Sequence, residues 1–205
     1  NLLKAANALV KKGEKPEYDN IAPEAKADGI CDYTNDLGGL ATLNDGYEPT
    51  ESHDTSHGAW HNWNNRYENG VAKNAWVSYT WDKPVEINSM DIYYFSDHGG
   101  IVAPKSASFE YLNDAGEWVV ADEAQGLACV EDEYNTVKLA NIKTKAIRMT
   151  MEPEFMNDGD PAHGVGVIEW KVYGKYAEDK PETVDKTALD AVIREAESRA
   201  EKDYT

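Results

Sequence analysis

The stretch TLNDGYEPTESHD, residues 42–54, gathers oxygen donors around a tight turn. A hard cation such as Ca2+ takes six or more oxygens from carboxylates, carbonyls and hydroxyls. Asp45 offers a carboxylate, Gly46 lets the chain turn sharply, and Thr50 offers a hydroxyl and a carbonyl. Far downstream, Glu169 interrupts the apolar run VGVIEWKVYG, residues 165–174. A carboxylate buried in a strand needs compensation, which a cation supplies. The alternative is that Glu169 faces solvent on a polar strand face.

A second set of residues suits a polar ligand. SHGAWHNWNNRYENG (56–70) carries Trp60, His61, Trp63, Asn65 and Arg66. FSDHGG (95–100) adds Asp97 and His98, and FMNDGDPAHG (155–164) adds Asn157, Asp158 and His163. Sugars are held by aromatic rings under their C–H faces and by planar amide, carboxylate, imidazole and guanidinium groups that bond to hydroxyls. Each residue alone is equally a turn former or a core packer, Trp63 included. The densest supply of a stacking platform is Trp60 and Trp63, and at least one of these indoles is expected to be exposed, within reach of Asp97 or His98.

Intrinsic catalysis finds little support. Two carboxyls at a suitable separation would make a glycosidase, but Asp and Glu total 38 of 205 residues, so a pair proves nothing. Nucleophile-elbow, zincin, P-loop and dinucleotide motifs are all missing from the sequence. Cys31 and Cys129 have no CxxC partner, which argues against a zinc site and leaves one disulfide or two buried, unreactive thiols.

The formal net charge of −18 argues against nucleic acid and against anionic membrane surfaces. It fits solubility, a cation, or a neutral partner such as a glycan. No stretch is long and apolar enough to span a membrane as a helix. A signal peptide is not recognisable and the first residue is not Met, so a mature protein or an excised piece is expected.

The elements that must position these groups are mostly strands. AWVSYTW (75–81) and EINSMDIYYF (86–95) read as two strands parted by DKP. SASFEYL (106–112) precedes a turn at NDAGEW, and YNTVKLA (134–140) and AIRMTME (146–152) alternate as half-buried antiparallel strands do. VGVIEWKVYG is the last strong strand. Such a series predicts an all-β sandwich or barrel. Short helices are expected at both termini. One covers about residues 1–12 and ends at Gly13. The other covers about 186–202, with Leu189, Val192, Ile193, Ala196 and Ala200 on one stripe. The expected organisation is a helix and linker over 1–19, a β domain over 20–176, and a linker with a helix over 177–205.

Four segments carry a resemblance, in order: ATLNDGYEPT, WVSYTWDKPVEINSMDIYYF, VAPKSASFEY and VGVIEWKVYG. Together they resemble the discoidin-like, coagulation factor type C family, close to carbohydrate-binding module family 32. FSDHGGIVAPKSASFEYL is similar to the version appended to bacterial arabinofuranose-releasing glycosidases, and the C-terminal VDKTALDAVIREAESRAEKDYT resembles the opening of a FIVAR-like helical module. The resemblance implies an antiparallel jelly-roll β-sandwich. It also implies a structural Ca2+ held by Thr42, Asp45, Tyr47, Thr50, Ile168 and Glu169. The family has a Trp two residues after the Thr, where this chain has Ser52. The implied function is non-catalytic glycan binding, to arabinose- or galactose-containing polymers. The implied setting is a large secreted or surface-anchored bacterial glycoside hydrolase whose other domains are its partners, with a monomer expected. The alternative is a spacer or adhesion module without a sugar site.

Overall fold

The computed structural model describes residues 18–31, 38–155 and 162–177. The two expected terminal helices, the FIVAR-like segment, Asn157 and Asp158 lie outside these residues.

Among the described residues eleven strands follow in chain order: β1 (Asp19–Asn20), β2 (Lys26–Gly29), β3 (Trp60–His61), β4 (Tyr67–Glu68), β5 (Val71–Ala72), β6 (Ala75–Phe95), β7 (Ile101–Val102), β8 (Ser106–Leu112), β9 (Trp118–Val120), β10 (Asn135–Glu152) and β11 (Gly164–Tyr176). The main ladder runs β1-β11-β6-β10-β8-β9; β2 adds to β6, and β3 and β7 add to β11. All these pairings are antiparallel except β7 with β11. The described residues thus form an all-β, jelly-roll sandwich.

DKP does not divide two strands. β6 runs through it as one 21-residue strand, and β10 likewise joins the two stretches read separately. The break in pattern marks a bend. Thr80 pairs with Ala146 and Val85 with Thr144, so residues 81–84 oppose Lys145 alone. Pro84, which has no amide proton to give a ladder, falls in this irregularity. A second shift lies between Lys138 and Ile142, where Asn141 takes a positive φ of 54°. Such bulges bend a strand and let the sheet fold over a core.

That core is aromatic. Trp60, Trp81, Trp170, Tyr79 and Phe109 are fully buried within it. Tyr79 stacks on Trp170 with ring centroids 4.3 Å apart. Its hydroxyl donates at 2.7 Å to Leu43 O and lies 3.0 Å from Trp170 O. Trp170 N also donates to Leu43 O at 2.7 Å, so the loop after the 3-10 turn Gly39–Thr42 is clamped to β11. Tyr79→Phe keeps the stack and one donor to Leu43 O, and is expected to cost about 1 kcal/mol by urea denaturation. A loss above about 3 kcal/mol would mean the hydroxyl holds the loop by itself.

Candidate functional site

The clamp has a chemical consequence one residue upstream. Val165 and Val167 belong to the main core, and so do Trp170 and Val172, although the two pairs have opposite parity. The register shift between Val167 and Glu169 resolves this: Ile168 is an extra residue in the ladder with β6. The bulge turns Ile168 into a smaller apolar cluster with Tyr93, Phe95 and Ile101. Strand alternation then carries Glu169 to the face away from Trp170, under the loop that Leu43 anchors.

Glu169 is 0% exposed, and both its carboxylate oxygens are buried without a hydrogen-bond partner among the described residues. Burial, and then the charge of Asp45, pushes its carboxyl up to about 8. The Gly46 amide faces it and offsets part of this rise without reaching hydrogen-bond geometry. Gly46 has φ +83°, the sharp turn that the sequence pattern required. Asp45 accepts from Tyr47 N at 3.0 Å and faces His57 Nε2 at 2.9 Å, and His57 stacks flat on Tyr47 at 3.9 Å. Thr42 is buried where the 3-10 turn ends, Ile168 precedes Glu169, and Thr50 is exposed farther along the loop. An orphaned, desolvated carboxylate beside a second one suits a hard cation with oxygen ligands. The remaining ligands would have to be carbonyls and hydroxyls, since among the described residues no three His, Cys, Asp or Glu converge on one point.

The loop residues divide differently from the expectation. Trp60 is 0% exposed, pairs on β3 with Val167, and donates its indole N–H to Cys31 O at 2.8 Å. It is a core residue and offers no platform, which corrects the reading from sequence. Strand β3 buries it because the adjacent β11 positions face the same core. His61 is buried too; burial holds its imidazole below the usual range, partly offset by the Asp97 charge. Trp63 is half-buried against the smaller cluster, and its ring occupies the space where Gly100 would carry a Cβ. The Arg66 guanidinium lies 3.6 Å over that ring and donates to Trp63 O at 2.6 Å. The indole is therefore already stacked by the chain's own cation. Asn65 is half-buried in the same turn. Asp97 accepts from the amides of Gly99 and Ile101, so it shapes its own turn. His98 is exposed and stacks on His53 at 4.7 Å.

Of the described residues proposed for a ligand, His163 alone lines a cleft with a volume of about 530 Å³. Its other walls include Lys105, Cys129, Glu131, Glu154 and Phe155. Phe155 is 55% exposed at the rim, and His163 Nδ1 is buried without a partner among the described residues. The backbone positions the two: Phe155 bridges Ala162, and His163 N donates to Glu154 O at 2.8 Å. Glu131 accepts from Ala103 N at 3.2 Å, tying two walls together. Lys105 is held at 2.7 Å by Glu152. Sequence reasoning noticed the loop that carries Phe155 but not the ring itself, and it missed Lys105, Glu131 and Glu154. Both cysteines are half-buried, and burial raises the Cys129 thiol to about 11, which leaves it a poor nucleophile at neutral pH.

No family model matches the sequence. The architecture is informative instead. The family 32 module of Clostridium perfringens NanJ, solved with galactose, superposes with TM-score 0.51 at 16% identity, over 76% of this chain and 98% of that one. The family 32 module of Streptococcus pneumoniae EndoD gives 0.51 at 17%, over 76% and 99%. The chain has the fold of the family 32 carbohydrate-binding modules. A fucolectin from striped bass (Morone saxatilis) serum superposes with TM-score 0.54 at 15% identity, over 78% of this chain and 50% of that one. No helix among the described residues is long and apolar enough to cross a membrane.

Proposed function

We propose that this chain is a non-catalytic glycan-binding sandwich. A sugar ring would stack on Phe155 in the cleft walled by His163, Lys105, Glu131 and Glu154. The observation that carries the reading is the exposed phenyl ring at the mouth of this cleft, surrounded by polar groups that can bond to hydroxyls. The family 32 fold supports it, since solved neighbours include a module bound to galactose and a fucolectin. A structural Ca2+ between Asp45 and Glu169 belongs to the same reading, with Thr42, Tyr47, Thr50 and Ile168 contributing oxygens. The buried, unpartnered Glu169 carboxylate supports it. The role that follows is to hold a larger bacterial glycoside hydrolase, secreted or surface-anchored, against its glycan.

A spacer reading has one observation behind it: Trp60 is buried and Trp63 is stacked under Arg66, so neither tryptophan of the aromatic-rich loop offers an open platform. A glycan array on the whole chain separates the two. One stacked ring gives weak binding, on the order of a millimolar to tens of micromolar. Phe155→Ala is expected to weaken glycan binding by about tenfold or more with an unchanged melting temperature, because an exposed ring adds little to folding. Binding that survives in the Ala variant would refute the cleft, and an array without a hit would leave the spacer reading.

A further inference from the structure

Glu169 has a neighbour that it does not use. Lys171 follows it two residues along β11, in unbroken register with β6, so both side chains leave the same face of the strand. Lys171 is 8% exposed and Glu169 0%, and charged side chains are rarely so buried without a partner. A lysine stem can span the roughly 7 Å between alternate positions of a strand. Yet no ion pair joins the two. The Lys171 ammonium goes to Glu48 Oε1, and both Glu169 oxygens are left without a hydrogen-bond partner among the described residues. Glu48 comes from the loop of Asp45, and its side chain is 68% exposed. Its other oxygen accepts from the Tyr134 hydroxyl at 3.1 Å. The same ammonium sits over the Tyr134 ring, 4.5 Å from its centroid, and that ring packs edge-on against Tyr93, the cross-strand partner of Glu169. Asp91, opposite Lys171 on β6, is occupied by Thr136 Oγ1 at 2.6 Å. Of these three carboxylates, Glu169 is the one left open.

We infer that Glu48 is a positioning residue for the cation site: it draws the Lys171 ammonium away from Glu169 and so keeps that carboxylate open for Ca2+. The inference rests on the calcium reading above and adds a residue outside the ligand set. An ammonium seated on Glu169 would satisfy the carboxylate within the protein, and that pair would have to be broken before a cation could bind. Breaking a buried pair is costly, because the freed charge is left uncompensated. The Tyr134 ring helps to hold the ammonium on the Glu48 side through its π face. Glu48 is not itself a ligand in this arrangement. Both its oxygens are already bonded, and among the described residues no three His, Cys, Asp or Glu converge on one point.

The test is calorimetric titration of the full chain with Ca2+ near neutral pH in about 0.15 M salt. It compares the parent, Glu48→Gln, Lys171→Met and the double variant. Glu48 is exposed and Met fills the volume of the Lys171 stem, so the variants keep the fold, which melting curves with chelator check. Glu48→Gln is expected to weaken calcium binding by about tenfold, within the usual range of coupling between sites. Lys171→Met should bind at least as tightly as the parent, because the competing ammonium is gone. In the Lys171→Met background, Glu48→Gln should change the affinity by less than about twofold, so that the two effects are not additive. A loss that persists in that background overturns the inference, since Glu48 would then act by its own charge or as a ligand. A loss in Lys171→Met equal to that in Glu48→Gln also overturns it, since the pair would then only fasten the loop to β11. Equal affinity in Glu48→Gln and the parent overturns it and leaves the cation site standing. A parent chain that binds no calcium overturns the cation site and the inference with it.

Discussion

Without added calcium, the protein is expected to lose stability as the pH rises from about 5 to 8, and calcium is expected to offset a large part of that loss. The reason is Glu169. Its carboxyl is pushed up from 4.5 to about 8 in the folded chain, mainly by burial and then by Asp45. A folded-state value above the unfolded one makes a contribution that is complete below the unfolded value and disappears as pH climbs through the folded value. The window is therefore about 4.5 to 8, and the size is on the order of 3–5 kcal/mol. His61 works against it in part, because its imidazole is depressed and stability is gained as pH rises toward its ordinary value of 6.5. Asp54, Glu48 and Glu152 are all lowered, so their contributions change below the window. A cation binds the ionised carboxylate; at a hundredfold excess over its Kd it adds about 2.7 kcal/mol to the folded state. Glu169→Gln should flatten the calcium-free profile relative to the parent and remove the response to calcium. Melting curves with chelator and with calcium at about pH 5 and pH 8 measure all of this. Superimposable curves at the higher pH would eliminate the cation site.

Trp170→Ala is expected to cost about 3–5 kcal/mol, a large share of the roughly 5–15 kcal/mol that holds a domain together. The side chain is fully buried between Tyr79 and the tilted ring of Phe109, so removal leaves a large cavity at the centre of the sandwich. Trp170→Phe is the informative companion. The indole N–H is buried without a partner among the described residues, so Phe keeps a ring on Tyr79 and discards an unsatisfied donor. It should cost less than about 1.5 kcal/mol. Urea titrations with an unchanged slope would report both values. If the two variants lose the same amount, the stack contributes nothing and the cavity account fails.

The two predictions depend on neighbouring residues that were legible in the sequence to different degrees. Strand β8 was readable to the residue, because SASFEYL alternates cleanly between turns. Glu169 stood out as a charge inside an apolar run. The cause of its orientation was also written there, in the parity change between Val167 and Trp170, but that change reads as a bulge only once β6 supplies the register. The continuity of β6 through Pro84 was hidden for the opposite reason: locally the segment has turn chemistry, and tertiary pairing overrides it. Trp60 and Trp63 look alike in sequence. Their fates were decided by β11 and by Arg66, neither of which a local pattern contains. The cleft was hardest to foresee. Its walls come from stretches that are far apart in the chain, and its single exposed ring has no aromatic neighbour in sequence to draw attention to it.

The short pairing of β1 with β11 sets how the sandwich can be handled mechanically. Asp19 lies opposite Gly174, Tyr176 donates its hydroxyl to Glu24 at 2.6 Å, and Ala177 N is fastened to Pro84 O. Entry and exit of the described chain are thus side by side. The cleft residue His163 stands just before the other end of β11, which is 13 residues long, and so lies roughly 40 Å away. Tension applied between residues 18 and 177 would run across this latch as a peeling load and bypass both the cleft and the Glu169 cradle. The sandwich can then be pulled from behind without the load passing through its core.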